Sequence, residues 1–156
     1  MELTDKLSDG YKSEGERQIA ALLDRYGIPF LYEKETLVED NFKLKIWYPD
    51  FYLPDFKVYV EYFGLQNDAG YRERTAHKMQ VYAENKLDLV PVFPENLRQL
   101  EPYLLGGIER ILKGRVAAFE RIVQPRTLVP EVQSSYRAPG PSDGANGIEG
   151  RLNRGL

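Results

Sequence analysis

One glutamate stands where an ionised carboxylate is hardest to explain. Glu61 interrupts the apolar strand-forming run Lys57-Val58-Tyr59-Val60-Glu61-Tyr62-Phe63. A charge in such a run costs heavily unless it is paired or holds a metal. Asp50, following Pro49, is the natural second half of a site. The intervening Leu53-Pro54-Asp55-Phe56 has turn chemistry, so the two segments are expected to form an antiparallel hairpin, and Asp55 is read as a turn residue. Opposite residues in such a pair face the same side of the sheet. A turn centred between Pro54 and Asp55 sets Asp50 opposite Tyr59, with Glu61 its diagonal neighbour. A turn centred between Asp55 and Phe56 sets Asp50 directly opposite Glu61. Either register brings the two carboxylates within roughly 5–8 Å at the Cβ level; a slip by one residue would put them on opposite faces. Two close carboxylates repel at neutral pH. A divalent cation relieves that repulsion, and hard oxygen ligands suit Mg²⁺ or Mn²⁺.

The elements that must position these groups follow from periodicity. Ser13 to Tyr26 predicts a helix, with Ile19, Leu22, Leu23 and Tyr26 at helical spacing and Gly27 as its stop. Strands are expected over Pro29–Thr36, Lys43–Tyr52 and Lys57–Phe63. Ala69–Asn85 reads as a helix, with Tyr71, Thr75, Lys78, Met79 and Tyr82 along one face. Leu87–Phe93 reads as a fourth strand, and Pro91 inside it points to a sheet edge. Glu95–Lys113 reads as a final helix with weak points at Pro102 and Gly106-Gly107. The order α-β-β-β-α-β-α implies an α/β fold with a mixed four-stranded sheet flanked by helices. The expected division is a domain over residues 1–114, a helical extension over 115–124 and a flexible tail over 125–156. The tail's Ser, Pro, Gly, Asn and Asp offer no periodic apolar face.

Composition narrows the chemistry. The 156 residues include no cysteine and one histidine, which excludes thiolate nucleophiles, cysteine zinc sites and multi-histidine metal centres. No apolar run reaches the roughly 18 residues of a membrane span, and no basic segment followed by an apolar one opens the chain; the cytoplasm is the expected compartment. Residues 1–114 carry 15 basic and 20 acidic side chains, a net −5, and residues 115–156 carry 6 and 4, a net +2. A passive nucleic-acid binder is usually basic. Any nucleic-acid role of this acidic body must rest on a local patch or on bound cations.

Four short motifs occur in order: Ser13-Glu14-Gly15-Glu16, Pro49-Asp50-Phe51, Glu61-Tyr62-Phe63-Gly64 and Lys78-Met79-Gln80-Val81-Tyr82. Together, over about residues 11–100, they resemble the PD-(D/E)XK nuclease superfamily, in particular its small repair-endonuclease-like and helicase-associated branch. The resemblance implies a restriction-endonuclease-like core and Mg²⁺- or Mn²⁺-dependent hydrolysis of DNA phosphodiester bonds, with a 5′-phosphate product. It implies an endonuclease of repair, recombination or defence. Asp50 and Glu61 would hold the metal, with Glu16 as a third ligand. DNA is the implied substrate, a helicase or other repair protein the candidate partner, and a homodimer the candidate assembly. Glu16 has a plainer explanation: with Ser13 it fits a capping box, in which the glutamate reaches back to the N-cap amide.

One departure is informative. The family's lysine stands two residues after the strand glutamate, where this chain has Phe63. Phenylalanine can neither orient water nor stabilise developing charge. A lysine from elsewhere must substitute, or the fold is an inactive module that binds nucleic acid or a partner protein. Lys78, which shares a helix face with Tyr82 at i,i+4, is the foremost substitute; Lys45 and Lys57 are weaker ones. Arg72, Arg74, Lys78 and Tyr82 are the candidate nucleic-acid contacts, and His77 is expected on the solvent side of its helix.

Overall fold

A computed structural model describes residues 10–65 and 67–124; the expected tail over 125–156 lies outside them. The first helix, α1 (Glu14–Arg25), starts where the Ser13 side chain accepts the Glu16 amide, and its chain exits through Gly27 in the left-handed region, φ 61°. Its core stripe is the expected one: Glu16, Ile19, Ala20 and Leu23 are all buried. The next elements are β1 (Leu31–Tyr32), β2 (Thr36–Asp40), β3 (Lys43–Trp47), β4 (Phe51–Leu53), β5 (Val58–Tyr62), α2 (Ala69–Glu84) and β6 (Leu89–Val92). A 3₁₀ turn (Pro94–Gln99) then leads into α3 (Leu100–Val123).

The main sheet has the order β1-β4-β5-β6. Its first two pairings are antiparallel and β5–β6 is parallel, with α2 as the crossover that parallel neighbours require. This is the expected mixed four-stranded sheet, and its own elements keep the expected order. Successive side chains of a strand point to opposite faces. Phe51, Leu53, Val58 and Val60 form one face, packed with Ile19 and Leu23 of α1 and Leu104 and Ile108 of α3. Tyr52, Tyr59 and Glu61 point to the other, where Tyr82 of α2 covers Tyr59 and Glu61. β5 is thus covered on both faces. Its neighbour β6 is an edge strand, as Pro91 indicates; Tyr103 of α3 donates to the Pro91 carbonyl at 2.6 Å.

A second sheet is absent from the expected order. β2 and β3 form a separate two-stranded hairpin in continuous register from Thr36↔Trp47 to Asp40↔Lys43. The stretch Lys43–Tyr52, expected as one strand, breaks at Tyr48-Pro49-Asp50, where a buried proline has no amide to donate. Only Leu31 and Tyr32 of the expected Pro29–Thr36 strand pair with the main sheet. The hairpin turns through Asn41 and Phe42, both left-handed at φ 53° and 59°, a geometry normally signalled by Asn-Gly. Phe42 is 98% exposed, so its ring returns no burial energy for the roughly 1–2 kcal/mol that a left-handed non-glycine residue costs. Phe42→Gly is expected to raise stability by about 1 kcal/mol, read as a higher denaturant midpoint at unchanged slope.

The final helix runs unbroken through both expected weak points. Pro102 lies in the first turn of α3, where its missing amide costs nothing. Gly107 lies against Val90: a Cβ there would stand 2.9 Å from one Val90 methyl and 3.2 Å from the other. At Gly106 the nearest atom would be an Arg110 terminus at 3.9 Å. Adjacent glycines are therefore expected to respond oppositely to alanine. Gly106→Ala should gain up to about 1 kcal/mol of helix propensity. Gly107→Ala should lose about 1–2 kcal/mol, because Val90 is buried and stiff at χ1. Thermal melts of the two variants against the parent check both signs.

Candidate active site

The β4–β5 register, Phe51↔Val60 and Tyr52↔Tyr59, continued by one step, sets Asp50 opposite Glu61. Of the two registers the sequence allows, the structure takes the one with the turn centred between Asp55 and Phe56. Asp50 lies just before β4, and its Oδ2 accepts the Tyr62 amide at 2.7 Å. Both carboxylates are thus held by the ends of the two central strands.

Glu61 is 2% exposed. Its charge is met from α2: Lys78 Nζ lies 2.7 Å from the carboxylate oxygens and the Tyr82 hydroxyl donates to Oε1 at 2.7 Å. Residues four apart on a helix lie one above the other, which lets α2 deliver both groups to one carboxylate. Lys78 thus stands at the carboxylate beside which the resemblance implies a lysine. Lys45 is instead paired with Asp40, and Lys57 sits in the β4–β5 turn, at the far end of β5 from Glu61. Phe63, at the position where the resemblance implies a lysine, is buried and stacks on Phe93 at 5.7 Å, with Lys78 Nζ 5.9 Å from its ring.

Burial is the first cause that pushes the Asp50 carboxyl up, to about 7; the nearby Glu61 charge adds to it, and Glu16 adds a smaller share. The Tyr62 amide and Lys78 pull the other way. Burial beside Glu61 likewise pushes the Tyr82 hydroxyl far up, so it stays a donor.

Glu16 does not join the pair directly. It lies on α1, across the sheet from α2, and its Oε2 accepts the Lys12 amide at 2.9 Å and the Tyr32 hydroxyl at 2.6 Å. The capping box is half formed, since Ser13 accepts the Glu16 amide while Glu16 turns to Lys12. Among the described residues no group of three or more His, Asp or Glu side chains is placed to hold one metal ion. A two-carboxylate site still suits Mg²⁺, which keeps several waters and uses one or two carboxylates with substrate phosphates. Burial raises Asp50 most, and the Glu61 charge that adds to it is the part such a cation would relieve.

A groove of about 740 Å³ runs between β3 and α2, lined in part by Trp47, Tyr48, Arg74, His77 and Lys78. Arg72 and Arg74 are exposed on α2, and Arg74 reaches the groove. Tyr82 is 1% exposed, which removes it from the candidate nucleic-acid contacts. His77 is half-exposed, as expected, yet it has a partner: its Nε2 lies 3.0 Å from Oδ1 of the buried Asp40, whose Oδ2 accepts from Lys45 at 2.6 Å. Lys45, and to a lesser degree His77, hold the Asp40 carboxyl below its usual range. Asp40 and Trp47 carry little signal in the sequence, because the hairpin that holds them lacks a glycine turn. The alternation Thr36, Val38, Asp40 was the available clue.

No protein-family model, curated protein or solved structure matches this chain. Among the described residues no helix is long and apolar enough to cross a membrane.

Proposed function

We propose that the chain is a metal-dependent nuclease that hydrolyses DNA phosphodiester bonds. The observation that carries this reading is the meeting of Asp50, Glu61 and Lys78 at the ends of the central strands. Asp50 and Glu61 would hold a Mg²⁺ or Mn²⁺ ion, with Glu16 acting on it only at longer range. When bound, the cation would polarise the scissile phosphate and lower the pKa of a water. The Tyr62 amide holds one Asp50 oxygen, so the carboxylate is oriented before substrate arrives. Tyr82 fixes the Glu61 carboxylate from below. Lys78, tethered to Glu61 and still about a third exposed, is the group free to swing its ammonium toward a phosphate oxygen and stabilise the charge that builds there. Affinity drawn from few basic side chains should fall steeply with salt. The test is incubation with plasmid, single-stranded and branched DNA in Mg²⁺ or Mn²⁺ against a chelator control. Absence of metal-dependent cleavage on all three substrates overturns the reading.

One observation favours a second reading. Glu61 is already neutralised by Lys78 and hydrogen-bonded by Tyr82, so the fold does not need a cation for its stability. An inactive nuclease-like module that binds nucleic acid or a partner protein would keep this pair as structure. Calorimetric titration with Mn²⁺ separates the two, since the module predicts no saturable heat at the Asp50–Glu61 pair.

A further inference from the structure

We infer that the groove between β3 and α2 is a track for an unpaired nucleic-acid strand, which makes single-stranded segments the substrate class of the adjoining site. The inference rests on the nuclease reading for its biological sense but not for its test. One wall is the aromatic end of the hairpin. Trp47 is half-buried and packs edge-on against Tyr82 at 5.9 Å, while Tyr48 is 53% exposed. The opposite wall is α2, which presents Arg74, His77 and Lys78 against a single acidic lining residue, Glu73. Among the described residues Arg74 has no ion-pair partner; its guanidinium lies over Tyr71, 5.7 Å from the ring centre. His77 is held in place by Asp40. An aromatic wall facing a basic wall is the arrangement that binds single strands, with bases stacked on rings and phosphates held by cations. Lys78 is paired to Glu61 and His77 to Asp40, so among the lining residues Arg74 is the cation left to meet a phosphodiester backbone.

The groove adjoins the carboxylate pair through Lys78, which lines the one and touches the other. Lys78 Nζ lies 5.8 Å from the Trp47 ring and 2.7 Å from Glu61. A strand lying along the groove therefore brings a phosphate to the lysine that touches the candidate catalytic glutamate. A uniform duplex offers no free base face to Tyr48 or Trp47, because its bases are stacked on one another. A groove of about 740 Å³ is of a size for nucleotides, not for a double helix.

The experiment uses the sole tryptophan of the chain as the reporter. The full chain is titrated in EDTA with oligothymidylates spanning the roughly 4–16 nucleotides of a single-strand site, and with a blunt duplex as competitor. Saturable, salt-sensitive quenching of Trp47 fluorescence by the single strand is expected, with the duplex at least about tenfold weaker. Tyr48→Ala, which retains the reporter, should weaken single-strand binding by at least about fivefold, the low end of the loss on removing one stacking ring. Arg74→Ala, followed by anisotropy of a labelled oligomer, should weaken it and flatten its salt dependence. Because no divalent ion is present, the result is separate from catalysis. Quenching by single strands without Mg²⁺-dependent cleavage keeps the track and removes the nuclease reading. Cleavage of duplex DNA with no single-strand quenching overturns the track alone. A Tyr48→Ala affinity within twofold of the parent also overturns it.

Discussion

Glu61→Gln is expected to abolish metal-dependent DNA cleavage while leaving a folded protein. The amide keeps the size of the side chain and can still accept from Tyr82, but it removes the charge that faces Lys78 and the candidate cation. Removing one electrostatic contact to a developing charge typically costs a hundredfold to a thousandfold in rate. A loss of at least about a hundredfold is therefore predicted for Gln. Glu61→Ala should be as inactive and also less stable. It leaves the buried Tyr82 hydroxyl without its acceptor, and an unmade buried hydrogen bond costs about 1–3 kcal/mol. Asp50→Ala should match the activity loss. Plasmid cleavage in Mg²⁺, with a thermal melt of each variant, separates chemistry from folding. A Glu61→Gln protein that cleaves at the parental rate would remove Glu61 from catalysis and leave the Lys78 pair as structure alone.

The second large effect is a reversal of the usual acid sensitivity. Most paired carboxylates bind protons less tightly when folded, so proteins lose stability as pH falls. Asp50 is the opposite case, raised from 3.8 to about 7 by burial and by its acidic neighbours. The folded chain then holds more protons than the unfolded chain between about pH 4 and pH 7, and stability contributed by this group falls as pH rises through that window. Above pH 7 the penalty is complete, at most about 4 kcal/mol at 1.36 kcal/mol per pKa unit; below pH 4 it is absent. Asp50→Asn is expected to stabilise the protein at pH 8 and to change little at pH 4. A cation at the pair acts as a substitute for the proton, so Mn²⁺ should raise the melting temperature more at pH 8 than at pH 5. The measurement is a set of melts across pH for parent and variant, with and without Mn²⁺. Curves that stay parallel across the window would show that Asp50 is not the group that titrates there.

The two effects share one cause. Asp50, Glu61 and, more remotely, Glu16 are gathered together; Lys78 meets Glu61 directly, while Lys12, paired to Glu33, acts on Glu16 and Asp50 only through its field. That arrangement serves stability poorly. It is suited to a site where a phosphate and its counter-ion arrive together, since functional groups with strongly displaced proton affinities gather where chemistry is done.

Much of this site was legible in the linear sequence. Glu61 stood out because an acid in an apolar strand demands a partner. The turn chemistry of Leu53–Phe56 made an antiparallel pair the natural expectation, and two of its registers put Asp50 on the face of Glu61. The helical spacing of Lys78 and Tyr82 put both on one face of their helix, though it did not assign them to one carboxylate. The core stripe of α1 and the edge position of Pro91 were likewise readable from periodicity and from a missing amide. The hairpin was not readable, because Asn41-Phe42 adopts a glycine-type turn without glycine. Its local cost is met by contacts that only the folded chain makes, such as Asn85 bonding both the amide and the carbonyl of Glu39.

The amino-acid order by itself determined which side chains need a partner and which share a face, since strand and helix periods are local properties of the backbone. Only the tertiary structure decided between two allowed registers, kept Glu16 on the far side of the sheet, and laid Trp47 and Tyr48 across from Arg74. Those outcomes depend on how separate elements pack, and packing is settled by the fit of whole surfaces rather than by any stretch of neighbouring residues.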